Sequence, residues 1–161
     1  MNSEYVAMGI DPGVRVTGYA VLLKNGRDVT IRAGGIIRPN IKQNFSLRIY
    51  NIFSNIRELI RTYNANEIAI ERLFTVYSHP GTAIQMAHAR GAVLCAAGEA
   101  GIKVVSIAAT HIKKAITGNG RASKEQMQKA MMIRLKLKEI PEPADLSDAL
   151  AIAYCRILET L

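Results

Sequence analysis

Val6-Ala7-Met8-Gly9-Ile10-Asp11-Pro12-Gly13 is a short apolar run that ends on an acid and is followed at once by a Pro-Gly turn. A run this short, bounded by a breaker, reads as a buried strand rather than a helix. Asp11 then stands at the carboxyl end of that strand, where open α/β sheets place their ligands. A carboxylate there is costly to desolvate unless something positive neutralises it. Further along, Glu67-Ile68-Ala69-Ile70-Glu71 repeats the device, a short apolar strand closing on an acid.

The stretches around these two strands predict the rest of the fold. Residues 17–24 and 28–33 read as strands joined across Asn25-Gly26, a strong hairpin signal, so the chain opens with an antiparallel meander. Gly34-Gly35 is expected to weaken or bulge the third strand near its end. From Ser46 to Tyr63, apolar residues at helical spacing oppose Arg48, Arg57, Glu58 and Arg61, which predicts an amphipathic helix on one side of the sheet. A longer helix over 82–100 is apolar nearly all round, so it buries two sides: one meets the sheet and the other wants a second subunit. Residues 103–107 form a further strand, and Thr110 caps a short helix through Ile116. Ser123 with Gln126 forms a capping box that opens a helix running to about Leu137. The last helix begins near Asp145. Together these elements give an α/β fold, a mixed five-stranded sheet with helices on both faces. A helical crossover joins parallel strands, so the strands ending in Asp11 and Glu71 can be neighbours.

The bulk numbers narrow the function. At 161 residues the chain is expected to form a single domain. No run approaches the ~20 apolar residues of a membrane span, and no basic-then-apolar export signal opens the chain, so a cytoplasmic protein is expected. Cys95 and Cys155 both fall in apolar helical stretches without a sulfur or histidine at zinc-ligand spacing, and read as buried reduced thiols. The net charge is +8, from 21 basic and 13 acidic residues. Such a balance suits a polyanion, because Lys and Arg gain affinity by displacing phosphate counterions.

Asp145 and Asp148 share one face of an otherwise apolar helix. Each alone is explained as a helix-start acid favoured by the dipole. Two at this spacing, with two strand-end acids also in want of partners, point to a metal site. Clustered carboxylates cannot all ionise without a cation between them. Oxygen-only ligands select hard ions, Mg²⁺ or Mn²⁺ where phosphate is also bound, and two such ions can drive phosphodiester hydrolysis. The acid pocket and the basic surface therefore imply a nuclease.

Gly9-Ile10-Asp11-Pro12-Gly13-Val14-Arg15-Val16-Thr17-Gly18-Tyr19, Ala69-Ile70-Glu71-Arg72-Leu73-Phe74, Ala89-Arg90-Gly91 and Ala144-Asp145-Leu146-Ser147-Asp148-Ala149-Leu150-Ala151-Ile152-Ala153 resemble, in order along almost the whole chain, the motifs of the RuvC-type Holliday junction resolvases. The resemblance implies a ribonuclease-H-like fold, a homodimer, and Mg²⁺-dependent paired nicking of a four-way DNA junction in recombination and repair. It implies catalytic metal ligands at Asp11, Glu71, Asp145 and Asp148, DNA or catalytic roles for Lys113 and Lys124, and an aromatic wedge at Phe74. It also implies cooperation with a branch-migration motor complex. It fades over residues 75–81.

The residues themselves allow these roles. An exposed Phe74 ring just past the strand end could stack on an unpaired base; the plainer reading is a core phenylalanine. Lys113, Lys114, Arg121 and Lys124 flank a Gly-rich loop, and Lys124 opens a helix whose free amides favour phosphate; a solvated cationic face is the alternative. Arg90 could contact phosphate or pair across an interface. Residues 118–124 lack the Walker spacing, and His79, His88 and His111 are scattered. An actin-like ATP site, which also uses a strand-end Asp followed by Gly, needs two lobes that 161 residues cannot supply. A related nuclease acting on structured RNA, or a non-cleaving nucleic-acid-binding module, stays open.

Overall fold

The computed structural model describes residues 4–73 and 80–160. The elements run β1 (Tyr5–Asp11), β2 (Thr17–Asn25), β3 (Asp28–Ile37), α1 (Phe45–Tyr63), β4 (Glu67–Glu71), α2 (Pro80–Ala100), β5 (Lys103–Ile107), α3 (Ala109–Thr117), α4 (Lys124–Arg134) and α5 (Ala144–Leu158). The five strands form one sheet in the order β3-β2-β1-β4-β5. β1, β2 and β3 pair antiparallel, whereas β1, β4 and β5 run parallel, so the predicted mixed sheet is the observed one. Asn25 pairs with Asp28 across a two-residue turn in which Gly26 takes a φ of 61°, the left-handed conformation such a hairpin requires.

Alternation along the strands divides the core into two layers. Met8, Ile10, Ile68 and Ile70 face α1 and α2, together with Ile52, Ile56 and Val93. Ala7, Leu22 and Ala69 face α5, with α3 and α4 packed outside it through Ile112, Ile116 and Met131. Small residues let α5 lie close against the sheet. A Cβ on Gly9 would stand 2.1 Å from the Ala149 carbonyl oxygen and 2.5 Å from the Ala153 nitrogen, so only glycine fits beneath this helix.

Several local expectations are corrected. Gly34 and Gly35 stay within the ladder of β3, and the irregularity lies at Arg32, where the register steps between Leu22–Ile31 and Val21–Ala33. The glycines make room instead: a Cβ on Gly34 would meet Leu146, and one on Gly35 the Tyr19 ring. Thr110 is not the cap of α3. The chain leaves β5 in extended conformation and turns at Ala108, so Thr110 already lies in the first turn. The Ser123–Gln126 capping box is present, but α4 ends at Arg134, because Lys136 adopts a left-handed φ of 53°.

Cys155 is buried as expected, whereas Cys95 is exposed on α2. Tertiary packing also brings His111 and Glu159 close to Cys155, a proximity that chain spacing does not reveal. His111 Nε2 lies 2.9 Å from a Glu159 carboxylate oxygen, and Glu159 also pairs with Arg156. Burial pushes the Cys155 thiol up to about 11, so it stays protonated at neutral pH. Among the described residues, no helix is long and apolar enough to cross a membrane.

Candidate active site

The parallel ladder between β1 and β4 ends at Ile10 and Ile70, so the next residues, Asp11 and Glu71, emerge side by side at the same sheet edge. Asp11 also pairs across the antiparallel ladder with Gly18 of β2. Here the helix and the sheet touch: a Cβ on Gly18 would lie 2.0 Å from the Asp145 carbonyl oxygen. The missing side chain lets the first turn of α5 rest on β2 directly across from Asp11. Asp148 follows Asp145 on the same helix face, over the end of β4.

The turn after Asp11 is held from two sides. Thr17, fully buried, donates its hydroxyl to the Gly13 carbonyl at 2.8 Å and accepts from the Gly13 amide at 3.2 Å. Arg48 of α1 donates to the Val14 carbonyl at 2.7 Å. Beside the acids opens a cleft of about 220 Å³ lined by Glu71, Asp148, Lys113 and Lys124, with Met127 and Met131 at its apolar wall.

Three of the acids, Asp11, Glu71 and Asp148, hold their protons more tightly than an ordinary carboxylate, chiefly because they are buried. Burial lifts Asp11 from 3.8 to about 7, reinforced by Asp148, Asp145 and Glu71 and opposed by Lys124. Glu71 is raised by loss of solvent and then by Asp148, with Lys113 opposing. Asp148 is raised by burial and by Asp145, against a lowering from Lys124. Glu71 and Asp148 line the cleft, while Asp11 and Asp145 stand beside it at the end of β1 and the start of α5. Among the described residues, Lys113 and Lys124 are the cations that lower these carboxylates, and burying so many acids is costly without further positive charge. The donor set is all oxygen, and it fits hard divalent cations.

The other predicted residues divide. Lys113 and Lys124 line the cleft, Lys124 as the first residue of α4. Lys114 and Arg121 are exposed outside its lining, and the Arg121 amide is held by the Asn119 side chain in the loop before α4. Phe74 lies outside the described residues. Arg90 is bonded within the chain, donating to the Glu71 carbonyl at 3.0 Å and to the Ser106 hydroxyl at 2.5 Å. Sequence reasoning did not find the positions that assemble the site: Gly9, Gly18, Thr17, Arg48 and Ser106. An isolated glycine inside a strand pattern marks close backbone approach, and that signal was available at Gly9 and Gly18.

The model of the family described as crossover junction endodeoxyribonuclease RuvC matches residues 7–156. The crossover junction endodeoxyribonuclease RuvC of Rhodopirellula baltica is 41% identical over 154 residues, covering 96% of this chain and 86% of that protein. That of Stutzerimonas stutzeri is 43% identical over 148 residues, covering 92% and 83%. The structure of Thermus thermophilus RuvC in complex with Holliday junction substrate superimposes with a TM-score of 0.91 at 30% identity, covering 97% of this chain and 94% of that one. The sheet order, the ribonuclease-H-like layering and the match over nearly the whole chain agree, and the chain belongs to the crossover junction endodeoxyribonuclease RuvC family.

Proposed function

We propose that this chain is a structure-selective endonuclease that resolves four-way (Holliday) DNA junctions by paired, metal-dependent phosphodiester hydrolysis. What supports this reading is the pair of strand-end acids Asp11 and Glu71, with Glu71 and Asp148 lining a lysine-bearing cleft, within a chain of this family. Asp11, Glu71, Asp145 and Asp148 would hold the metal. Mg²⁺ suits the donors best, with Mn²⁺ able to replace it and two ions matching the four carboxylates. Such ions, when bound, supply Lewis-acid stabilisation of a phosphodiester's developing charge and acidify an attacking water.

The chain's own residues do the rest. The four carboxylates fix where the cations sit, and the turn held by Thr17 and Arg48 keeps Asp11 from swinging outward. Lys124 places an ammonium at the first turn of α4, where the free amides also face an anion. It can offset negative charge growing on the scissile phosphate. Lys113, also in the cleft lining, offers a second cation, while Lys114 and Arg121 would extend a basic track for the DNA backbone. Phe74 would stack on an unpaired base at the junction centre.

Paired incision needs two sites, and the outer faces of α1 and α2 supply a surface for a homodimer. Between these helices runs an apolar groove of about 750 Å³ lined by Tyr50, Phe53, Ile84 and Ala92. Ile84 is 57% and Leu94 45% exposed on α2, a waste of apolar surface unless a second copy covers it. The whole chain acts as one nuclease domain in the cytoplasm, alongside a branch-migration motor.

The test is cleavage of a synthetic four-way junction beside linear duplex and structured RNA, in Mg²⁺ and in chelator. The expected result is symmetric nicking of the junction alone, abolished by chelator. Equal cutting of linear duplex, preference for RNA, or cutting that persists in chelator would overturn the proposal.

A further inference from the structure

We propose that Arg90 is a positioning residue: reaching from α2 past the open edge of the sheet, it fixes the backbone of Glu71 so that this carboxylate stays in the metal pocket. The inference rests on the metal-dependent nuclease reading above and assigns Arg90 a role other than phosphate contact.

The geometry follows from strand alternation. Ile68 and Ile70 point into the layer occupied by α1 and α2, so Glu67, Ala69 and Glu71 point the other way, toward α5. Ser106 of β5 follows Val105, which packs in the α5 layer, and so faces α2. Arg90 therefore approaches the sheet from the face opposite the cleft. One terminal nitrogen donates to the Glu71 carbonyl at 3.0 Å, and the other to the Ser106 hydroxyl at 2.5 Å. The planar guanidinium ties the ends of β4 and β5 together behind the carboxylate it supports.

The tie falls where the ladders end. The β1–β4 ladder has stopped at Ile10 and Ile70, and among the described residues the Arg72 amide bond to the Ile107 carbonyl, at 2.8 Å, is the last from the β4 side to β5. Glu71 itself is the last β4 residue paired with β5, opposite Ile107. Arg90 is half-buried, with both of its terminal nitrogens engaged by the Glu71 carbonyl and the Ser106 hydroxyl. Groups that orient metal ligands from outside the coordination set typically carry a tenfold or larger effect on metal affinity.

The experiment measures Mn²⁺ binding to the full-length DNA-free protein by electron paramagnetic resonance, alongside junction affinity in chelator and cleavage against Mg²⁺ concentration. Arg90→Ala is expected to weaken Mn²⁺ binding about 10-fold and to raise the Mg²⁺ needed for half-maximal cleavage by a similar factor. Junction affinity should be unchanged, and excess Mg²⁺ should restore much of the rate. Arg90→Lys keeps the charge but cannot span both acceptors, and should fall in between. Ser106→Ala removes one anchor and should weaken Mn²⁺ binding about threefold; it also serves if Arg90→Ala does not fold. Unchanged Mn²⁺ affinity in Arg90→Lys and Ser106→Ala would overturn the proposal. So would loss of junction affinity with intact Mn²⁺ binding, which would make Arg90 a phosphate contact. Failure of the wild-type protein to cut junctions at all would instead refute the nuclease reading.

Discussion

Replacing Asp11 by Asn should make the metal-free protein more stable at pH 8, although it removes a group the enzyme needs. Asp11 holds its proton up to about 7 in the fold, against 3.8 when free of it. The folded state thus binds this proton more tightly than the unfolded state does. The stability it contributes is complete below about pH 4, declines as pH rises through 7, and is gone above. A rise of that size corresponds to no more than ~4 kcal/mol, and solvent reaching the pocket reduces the expected gain to about 2 to 4 kcal/mol. For a chain of this length that is roughly 5 to 15 °C in Tm. The assay is thermal unfolding in chelator from pH 5 to pH 8.5. Asp11→Asn should gain on the wild type steadily across that window and level off above pH 7.5. Adding Mg²⁺ should then reverse the order, because a ligand that binds only the native state raises the wild-type Tm and has lost a donor in the variant. A variant less stable than wild type at pH 8 in chelator, or a difference that ignores pH, would refute the crowding of acids on which the calculation rests.

Gly18→Ala would place a Cβ 2.0 Å from the Asp145 carbonyl oxygen, so α5 must lift from β2. A stability loss of about 2 kcal/mol or more in denaturant unfolding, with cleavage lost even where the variant is folded, is expected. Lys124→Gln should lower the cleavage rate about 10- to 100-fold. It should also move the acid limb of the pH–rate profile upward, because Lys124 lowers both Asp11 and Asp148; single-turnover rates from pH 6 to pH 9 report both effects. Ile84→Glu puts a charge on the exposed apolar face of α2 and should convert a dimer to a monomer in sedimentation, leaving Mn²⁺ binding intact.

Much of the architecture was legible because it is written in local pattern. Two short apolar strands closing on acids, an Asn-Gly hairpin and a Ser-Gln capping box each depend on residues close in sequence, and the sheet follows from them and from crossover rules. Asp145 and Asp148 were legible as a pair because helical spacing alone puts them on one face. What escaped depends on contacts across the chain. Gly18 matters because of a helix more than 120 residues later, and nothing near it in sequence announces that helix. Thr110 has the chemistry of a cap, but the direction in which the chain leaves β5 decided where α3 begins. Cys95 sits in an apolar stretch and is nonetheless exposed, since α2 buries only one side against the sheet. Arg90 read as a phosphate contact or an interface pair because its actual acceptors, a main-chain carbonyl and a serine hydroxyl, carry no charge signal in the sequence.

The central claim, that four acids from three separate elements act as one cation-binding site, is tested most directly by counting and weighing bound Mn²⁺ in the absence of DNA. Electron paramagnetic resonance titrations of the wild type and of Asp11→Asn, Glu71→Gln, Asp145→Asn and Asp148→Asn would be compared. Saturable binding in the wild type, weakened at least tenfold in each of the four variants while their folds are retained, is the predicted outcome. Binding unchanged in Glu71→Gln or Asp145→Asn would show that the strand-end acids and the helix acids do not share a cation, and would contradict the account.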